Sequence, residues 1–206
     1  LGLVISPIAE FNLATYLQRC CTEPEQGATL QKFFGCLANA LSYLHDNEIK
    51  HRDIKPQNIL VDRANVLLTD FGLSRQSLVT TSGPTPKSNR YCSPEVAASE
   101  ARNSSADVWS LGCVFLEMAS ALRGHNVEWL SDYYERTGSR SSHFHANHVA
   151  TQLLLQEWEA TSSVTQAMPL LWIRKMLKPR RNARPQAAQI FNEITTTDDA
   201  SGFMYS

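Results

Sequence analysis

Apolar residues recur every three or four positions through much of this chain, which is the spacing of helices that bury one face. Between Thr29 and Asn47 the spacing is regular and predicts an amphipathic helix. Its apolar positions are Leu30, Phe33, Phe34, Leu37, Leu41 and Leu44. A shorter helix is predicted upstream, where Asn12 can cap a segment that runs toward Cys20.

The segment that ends near Met118 is apolar on nearly every side, and either Ser104 or Ser105 can cap it. A helix without a polar face belongs in the middle of a core, so we expect this one to be central. Residues 123–150 that follow are polar and irregular in pattern, and the sequence assigns no element to them.

Three more helices are predicted toward the C-terminus. One passes through residues 153–158, and another covers residues 170–177 and is stopped by Pro179. The last is opened by Pro185 and is expected to end before the threonine run that starts at Thr195.

Two short apolar runs, residues 59–61 and 66–68, are separated by the turn-forming segment Asp62-Arg63-Ala64-Asn65 and predict a β-hairpin. Residues 74–89 are rich in Ser, Thr and Pro and predict a long loop. The chain opens on an apolar, strand-like run without an initiator Met, so we expect it to begin inside a structural element.

Length and composition indicate one globular domain, and the predicted elements give it a mainly α fold with a small hairpin. The chain has 206 residues, of which 43% are hydrophobic and 19% charged. We expect the domain to cover residues 1–195 and a C-terminal tail to cover residues 196–206.

Charge and cysteine content indicate which partners and which cellular compartment to expect. Nineteen Lys and Arg against twenty Asp and Glu leave a formal charge of −1, so we expect neither nucleic acid nor an anionic membrane as a partner. Five cysteines without a CxxC pair suit a reducing compartment, so the protein is expected to be intracellular and cytoplasmic.

The segment His51-Arg52-Asp53-Ile54-Lys55-Pro56-Gln57-Asn58 precedes the first hairpin strand, and Asp70-Phe71-Gly72 follows the second. Each motif alone is common in turns and helix starts. Together, in this order around a hairpin, they resemble the catalytic loop and the magnesium motif of the eukaryotic protein kinase family. The implied fold is the larger, C-terminal lobe of a kinase, with these two loops carried by the hairpin.

The resemblance implies transfer of the γ-phosphate of ATP to a protein hydroxyl with Mg²⁺ as cofactor. Asp53 would be the catalytic base, and Lys55 would contact the transferring phosphate and favour Ser/Thr substrates. Asn58 and Asp70 would hold the magnesium ion. Leu60 would form the lower face of the adenine slot, and the stretch Ile5 to Ala9 would supply hinge backbone groups.

Three later segments also resemble the family. Ser93-Pro94-Glu95 is similar to the motif that closes the activation segment, and Arg184 is expected to pair with Glu95 near the final helix. Asp107 begins a stretch, residues 107–112, that is similar to the start of the buried helix. In the family this aspartate accepts hydrogen bonds from the backbone of the catalytic loop.

Arg52, beside the expected base, implies control by phosphorylation, because a phosphate on the activation segment could satisfy its guanidinium. An upstream activating kinase is therefore a further expected partner. Ser88 falls at the substrate-docking position, where a hydroxyl can bridge Asp53 and Lys55. The candidate phosphorylation sites are Ser77, Thr80, Thr81, Ser82 and Thr85.

These 206 residues contain no glycine-rich loop, no strand lysine before the hinge and no helix glutamate to pair with it. Lys87 and the pair Arg180-Arg181 also depart from the family pattern. Two hypotheses follow: a Ser/Thr kinase that is active in the full-length parent, or a kinase-like interaction module without catalysis. We expect these 206 residues alone to bind magnesium-ATP weakly and to transfer little phosphate.

Overall fold

A computed structural model describes residues 9–70, 75–76 and 89–201. The opening strand and the hinge stretch up to residue 8 lie outside the described residues. So do Phe71 and Gly72, the five candidate phosphorylation sites, Lys87 and Ser88.

Helices dominate the described part of the chain, as the apolar spacing predicted. None of them is both long and apolar enough to cross a membrane. In chain order they are α1 (Leu13–Cys20), α2 (Gly27–Asp46), α3 (Pro94–Ala97), α4 (Ser104–Ala121), α5 (Val127–Thr137), α6 (His148–Thr161), α7 (Val164–Met176) and α8 (Ala187–Ser201).

The described strands are short and antiparallel. They are β1 (Phe11–Asn12), β2 (Ile49–Lys50), β3 (Ile59–Asp62), β4 (Asn65–Leu68) and β5 (Arg75–Gln76). One sheet has the order β1-β3-β4, and β2 pairs with β5. The predicted hairpin is therefore confirmed as β3-β4, with Ile59 opposite Leu68 and Asp62 opposite Asn65. Arg63 in its turn has a φ of 54°, the left-handed backbone that closes such a turn.

Helix α4 is the centre of the core, as its all-round apolarity predicted. It packs against α1, α2, α5 and α7, and nearly all of its side chains are buried. Phe34 of α2 meets Phe115 of α4 edge-on at a centroid distance of 4.8 Å. Gly112 allows α7 to approach closely, because a Cβ there would lie 2.8 Å from Cβ of Met176. Helix α4 is thus fixed in position by neighbours on several sides.

Two local predictions were wrong, and a region that the sequence left unassigned contains a helix. Residues 123–150 contain α5, which Asn126 caps by accepting a hydrogen bond from the backbone N–H of Trp129, and which buries Leu130, Tyr133 and Tyr134. The cap of α4 is neither Ser104 nor Ser105: the helix begins at Ser104, so the preceding residue, Asn103, occupies the cap position.

Helix α8 continues through the threonine run where the sequence predicted its end. The hydroxyls of Thr195, Thr196 and Thr197 each donate to the backbone carbonyl four residues earlier. Each of these hydroxyls is satisfied by its own helix and therefore does not compete with the helical backbone hydrogen bonds.

The cap of α1 was predicted correctly, since Asn12 Oδ1 accepts from the N–H of Thr15 at 3.0 Å.

A buried ion pair ties α3 to the segment before α8, as expected. Arg184 donates from Nη1 to Glu95 Oε1 at 2.7 Å and from Nη2 to Glu95 Oε2 at 2.8 Å. Burial by itself raises the pKa of Glu95, but the hydrogen bonds and charge of Arg184 lower it below its ordinary value. The guanidinium also donates to the carbonyls of Lys178 and Pro179 and lies over the ring of Trp109.

A second buried carboxylate, Glu117 of α4, anchors the segment that leads into α3. The hydroxyl of Tyr91 donates to Glu117 at 3.1 Å, and Nε of Arg90 donates to it at 3.2 Å. Arg90 continues from Nη1 to the hydroxyl of Ser131 on α5. Burial raises the pKa of Glu117 to about 7, and the charge of Arg90 and the hydroxyl of Tyr91 offset only part of that rise.

We predict that Arg184→Met lowers the free energy of unfolding by about 3–5 kcal/mol, because it leaves the Glu95 carboxylate buried without its partner. Lys175→Met is the matched control: its ion pair with Glu193 is exposed, and its loss is expected to cost under about 1 kcal/mol. Urea unfolding of both variants measures the difference. If both variants lost the same unfolding free energy, the buried Glu95–Arg184 pair would stabilise the fold no more than the exposed Lys175–Glu193 pair does.

A second prediction concerns the pH dependence of stability. The folded state keeps a proton on Glu117 between its ordinary pKa of 4.5 and about 7, and unfolding releases it. Stability should therefore fall as the pH rises through this window, by an amount on the order of a few kcal/mol. Glu117→Gln should flatten this dependence, whereas the exposed Glu135→Gln should leave it unchanged. Unfolding curves at about pH 5, 6, 7 and 8 test both; parallel dependences in wild type and Glu117→Gln would contradict the prediction.

Candidate active site

The segment from His51 to Asn58 connects β2 to β3 and lies against the N-terminal end of α4. It is an irregular loop that closes in a 3₁₀ turn, Pro56–Asn58. Ile54 is 1% exposed and belongs to the hydrophobic core, so the middle of the loop is anchored by apolar burial. The loop is thereby fixed close to the core, with its polar side chains on both sides of that anchor.

Asp107 of α4 fixes the start of the loop. Its Oδ2 accepts from the N–H of His51 at 3.0 Å, and its Oδ1 accepts from the N–H of Arg52 at 2.8 Å. Nε2 of His45, near the end of α2, lies 3.2 Å from the same Oδ2. Because Asp107 is only 2% exposed, these donors replace the water that its carboxylate loses on burial. The expected contact between Asp107 and the loop backbone is confirmed.

The imidazole of His51 is fully buried beside this carboxylate. Burial lowers the pKa of His51, and the charge of Asp107 opposes that shift only in part. The ring is therefore neutral near pH 7, which leaves Nδ1 able to accept the N–H of Asp53 at 3.4 Å. This contact links the two ends of the tripeptide that precedes Ile54.

Asp53, Lys55 and Asn58 come together at one end of the loop. Nζ of Lys55 donates to Asp53 Oδ2 at 2.7 Å, and Nδ2 of Asn58 donates to the same oxygen at 2.8 Å. Nδ2 of Asn58 also donates to the backbone carbonyl of Asp53 at 2.9 Å. The Asp53 side chain is about one tenth exposed. The arrangement holds a carboxylate in a fixed orientation at the edge of solvent, with a cation beside it.

Asp70 is brought next to this group by the hairpin. The register places Thr69 opposite Asn58, and both the N–H and the hydroxyl of Thr69 donate to the carbonyl of Asn58, at 2.9 and 3.1 Å. Asp70 follows directly, with an exposed side chain and a φ of 63°. A left-handed backbone at a non-glycine residue is costly, and such strain is concentrated at functional sites.

Leu60 occupies the face of the hairpin that points away from the core. Along β3 the buried positions are Ile59 and Val61, whereas Leu60 is half-buried and lies opposite Leu67 of β4, which is 42% exposed. On its other side Leu60 is paired with Asn12 of β1. The outer face of this small sheet therefore carries an apolar patch directly after the loop.

Sequence reasoning missed two residues that support the site, His45 and Thr69. His45 stands in a helix six positions before the loop, where nothing local distinguishes it. Thr69 immediately precedes Asp70, and its position at the end of a predicted strand was a usable signal for a contact across the hairpin.

Comparisons with known proteins agree with this geometry. The family model described as the protein kinase domain matches residues 2–194. Serine/threonine-protein kinase nekl-2 of Caenorhabditis elegans is 29% identical over 171 residues, which cover 80% of this chain and 43% of that protein. Serine/threonine-protein kinase fused of Drosophila melanogaster is 38% identical over 120 residues, 55% of this chain and 14% of that protein.

Serine/threonine-protein kinase Sgk3 of Mus musculus is 40% identical over 127 residues, which cover 58% of this chain and 24% of that protein. The chain thus spans less than half of the length of each of these relatives. Nearly the whole chain matches the family model, and Asp53, Lys55 and Asn58 of the first motif come together in the loop before β3. The chain belongs to the eukaryotic-type protein kinase family.

Proposed function

We propose that this protein is a serine/threonine kinase that transfers the γ-phosphate of ATP to a hydroxyl of a protein substrate. The observation that carries the proposal is the Asp53 carboxylate, which Lys55 and Asn58 hold at the edge of solvent in a loop anchored by Asp107. The Ser/Thr class is also the class named for the relatives described above.

In this proposal Asp53 orients the substrate hydroxyl and accepts its proton as the oxygen attacks. Positioning is the main contribution that a protein makes to phosphoryl transfer, because the transferring group needs little covalent help. A carboxylate that is held by two donors loses little further freedom when the substrate arrives. This is the physical advantage of the Lys55 and Asn58 contacts.

Lys55 supplies the positive charge beside the reacting group. Its ammonium lies 2.7 Å from Asp53 and is about one quarter exposed, so it can face a phosphate that approaches from solvent. Charge that develops on the transferring phosphoryl oxygens is stabilised by a cation placed there in advance. Lys55 therefore acts on the phosphate, while Asp53 acts on the hydroxyl.

Asn58 and Asp70 suit a magnesium ion in their chemistry. Nδ2 of Asn58 is directed at Asp53, so its amide oxygen is the atom left to act as a ligand, and Asp70 offers an exposed carboxylate one residue beyond Thr69. Mg²⁺ prefers such hard oxygens and is usually bound by one or two protein groups, waters and the substrate phosphates. Bound magnesium would neutralise charge on the ATP phosphates.

The adenine ring of ATP is assigned to the outer face of the hairpin. Leu60 is half-buried there and Leu67 lies beside it, so a flat apolar ring would cover surface that is otherwise in water. Asn58 ends the 3₁₀ turn and Leu60 is the second residue of β3, so the proposed magnesium ligand and the proposed adenine contact are separated by one residue.

Control by an upstream kinase is part of the proposal. Arg52 directly precedes Asp53, and a phosphate on one of the hydroxyls between Ser77 and Thr85 could form an ion pair with its guanidinium.

We predict that Asp53→Asn in the full-length protein lowers kcat for a Ser/Thr substrate by at least about 100-fold and leaves magnesium-ATP binding within about threefold, because only the proton acceptor is lost. Asp62→Asn at the end of β3 is the matched control and should keep wild-type activity. Transfer of radiolabel from ATP and calorimetry make the two measurements. Transfer that persists in Asp53→Asn would exclude Asp53 as the base, and absence of transfer in the wild type would favour an interaction module.

Asp70→Asn should act through the metal. We expect the Mg²⁺ concentration for half-maximal transfer to rise at least about tenfold, because a neutral amide binds Mg²⁺ more weakly than a carboxylate does. Titration of activity with Mg²⁺ at saturating ATP measures this shift, with Asp62→Asn again as control. An unchanged magnesium requirement would remove Asp70 from the metal site.

A further inference from the structure

Arg102 reaches the catalytic loop from the connection between α3 and α4. Its Nη1 donates to the backbone carbonyl of Arg52 at 3.2 Å, across fifty residues of sequence. The side chain is half-buried and lines a small cavity of about 20 Å³ together with Arg52, Asp53 and Asp107. Among the described residues, no carboxylate lies within ion-pair distance of Arg102. The contact with Arg52 is therefore its main described interaction.

The carbonyl that Arg102 holds belongs to the peptide unit between Arg52 and Asp53. The N–H of the same peptide unit donates to Nδ1 of His51 at 3.4 Å. The preceding N–H, that of Arg52, donates to Asp107. Both ends of the peptide unit that carries Asp53 are thus held by side chains.

This peptide unit needs external support, because the backbone of Arg52 is left-handed, with a φ of 72°. An arginine gains nothing from this conformation by itself, so surrounding contacts must stabilise it. Rotation of the peptide plane would turn the carbonyl away from Arg102 and the N–H away from His51, and it would change the φ of Asp53, one of the torsions that direct its side chain. Arg102 opposes that rotation directly.

The same short stretch of chain supplies the other support. Asp107 lies in the first turn of α4, and Arg102 immediately precedes Asn103, the N-cap residue of that helix. Residues 102–107 therefore hold both groups of Arg52: the Asp107 carboxylate accepts from its N–H, and the Arg102 guanidinium donates to its carbonyl. The segment also follows α3, which the Glu95–Arg184 pair ties to the base of the fold.

We propose that Arg102 is a positioning residue for Asp53: it fixes the peptide unit that orients the base and thereby raises the rate of transfer. The inference rests on the proposed function for its kinetic consequence. Its structural consequence, a more rigid Arg52–Asp53 peptide, does not depend on catalysis.

The experiment compares Arg102→Met, which removes the donors and keeps the apolar stem, with Arg102→Lys, which keeps a charged donor. Arg136→Met on α5 is the matched control, because the Nε of Arg136 donates to the carbonyl of Asp132 on its own helix and no contact of Arg136 with the loop is found among the described residues. In the full-length protein, Arg102→Met should lower kcat about tenfold and leave the KM for ATP within about twofold. Arg102→Lys should recover part of kcat, and Arg136→Met should match wild type.

Hydrogen exchange of the Arg52 and Asp53 amides, followed by NMR or by mass spectrometry of the loop peptide, gives a readout that needs no activity. We expect exchange about tenfold faster in Arg102→Met and close to wild type in Arg136→Met. Unchanged exchange, unchanged kcat, or a rise in the KM for ATP that accounts for the whole effect would each overturn the inference. If the wild type transfers no phosphate, the proposed function fails, and exchange alone decides the role of Arg102.

Discussion

The pairing of the Asp107 carboxylate with two successive backbone N–H groups is the contact on which the rest of the site depends. The Asp107 carboxylate is 2% exposed and is stable there only when it accepts hydrogen bonds, and the backbone N–H groups of an irregular loop have no strand partner to donate to. The N–H groups of His51 and Arg52 donate to Asp107, so both groups are satisfied at once. These hydrogen bonds fix the loop relative to the core, because breaking them would leave a buried carboxylate and two backbone N–H groups without partners.

Helix α4 turns this local contact into long-range order. Near its N-terminus Asp107 holds the loop of residues 51–58, in its middle Gly112 lets α7 pack closely, and further on Glu117 holds Tyr91 ahead of α3. Because the helix is buried on nearly every side, these three attachments keep fixed distances from one another. A rigid, buried element that holds several functional segments is what a preorganised site requires.

The differences between prediction and structure have local physical causes. Helix α5 was missed because its polar, charged surface hides a short apolar face of Leu130, Tyr133 and Tyr134, although the spacing and the Asn126 cap were visible. The extra turns of α8 were missed because threonine usually favours other conformations. Thr196 and its neighbours instead bond their hydroxyls back into the helix.

The sequence by itself determined the family, the apolar faces of α2 and α4 and the hairpin, and it singled out Asp53, Lys55, Asn58 and Asp70 as candidate site residues. These features depend on residue types at short spacings, which local geometry converts into structure directly. Only the tertiary structure decided which distant groups complete the site. His45 meets Asp107, 62 residues away, because helices α2 and α4 pack together. Contacts of that kind depend on how helices pack against one another, and the spacing of side chains along one helix carries no information about that packing.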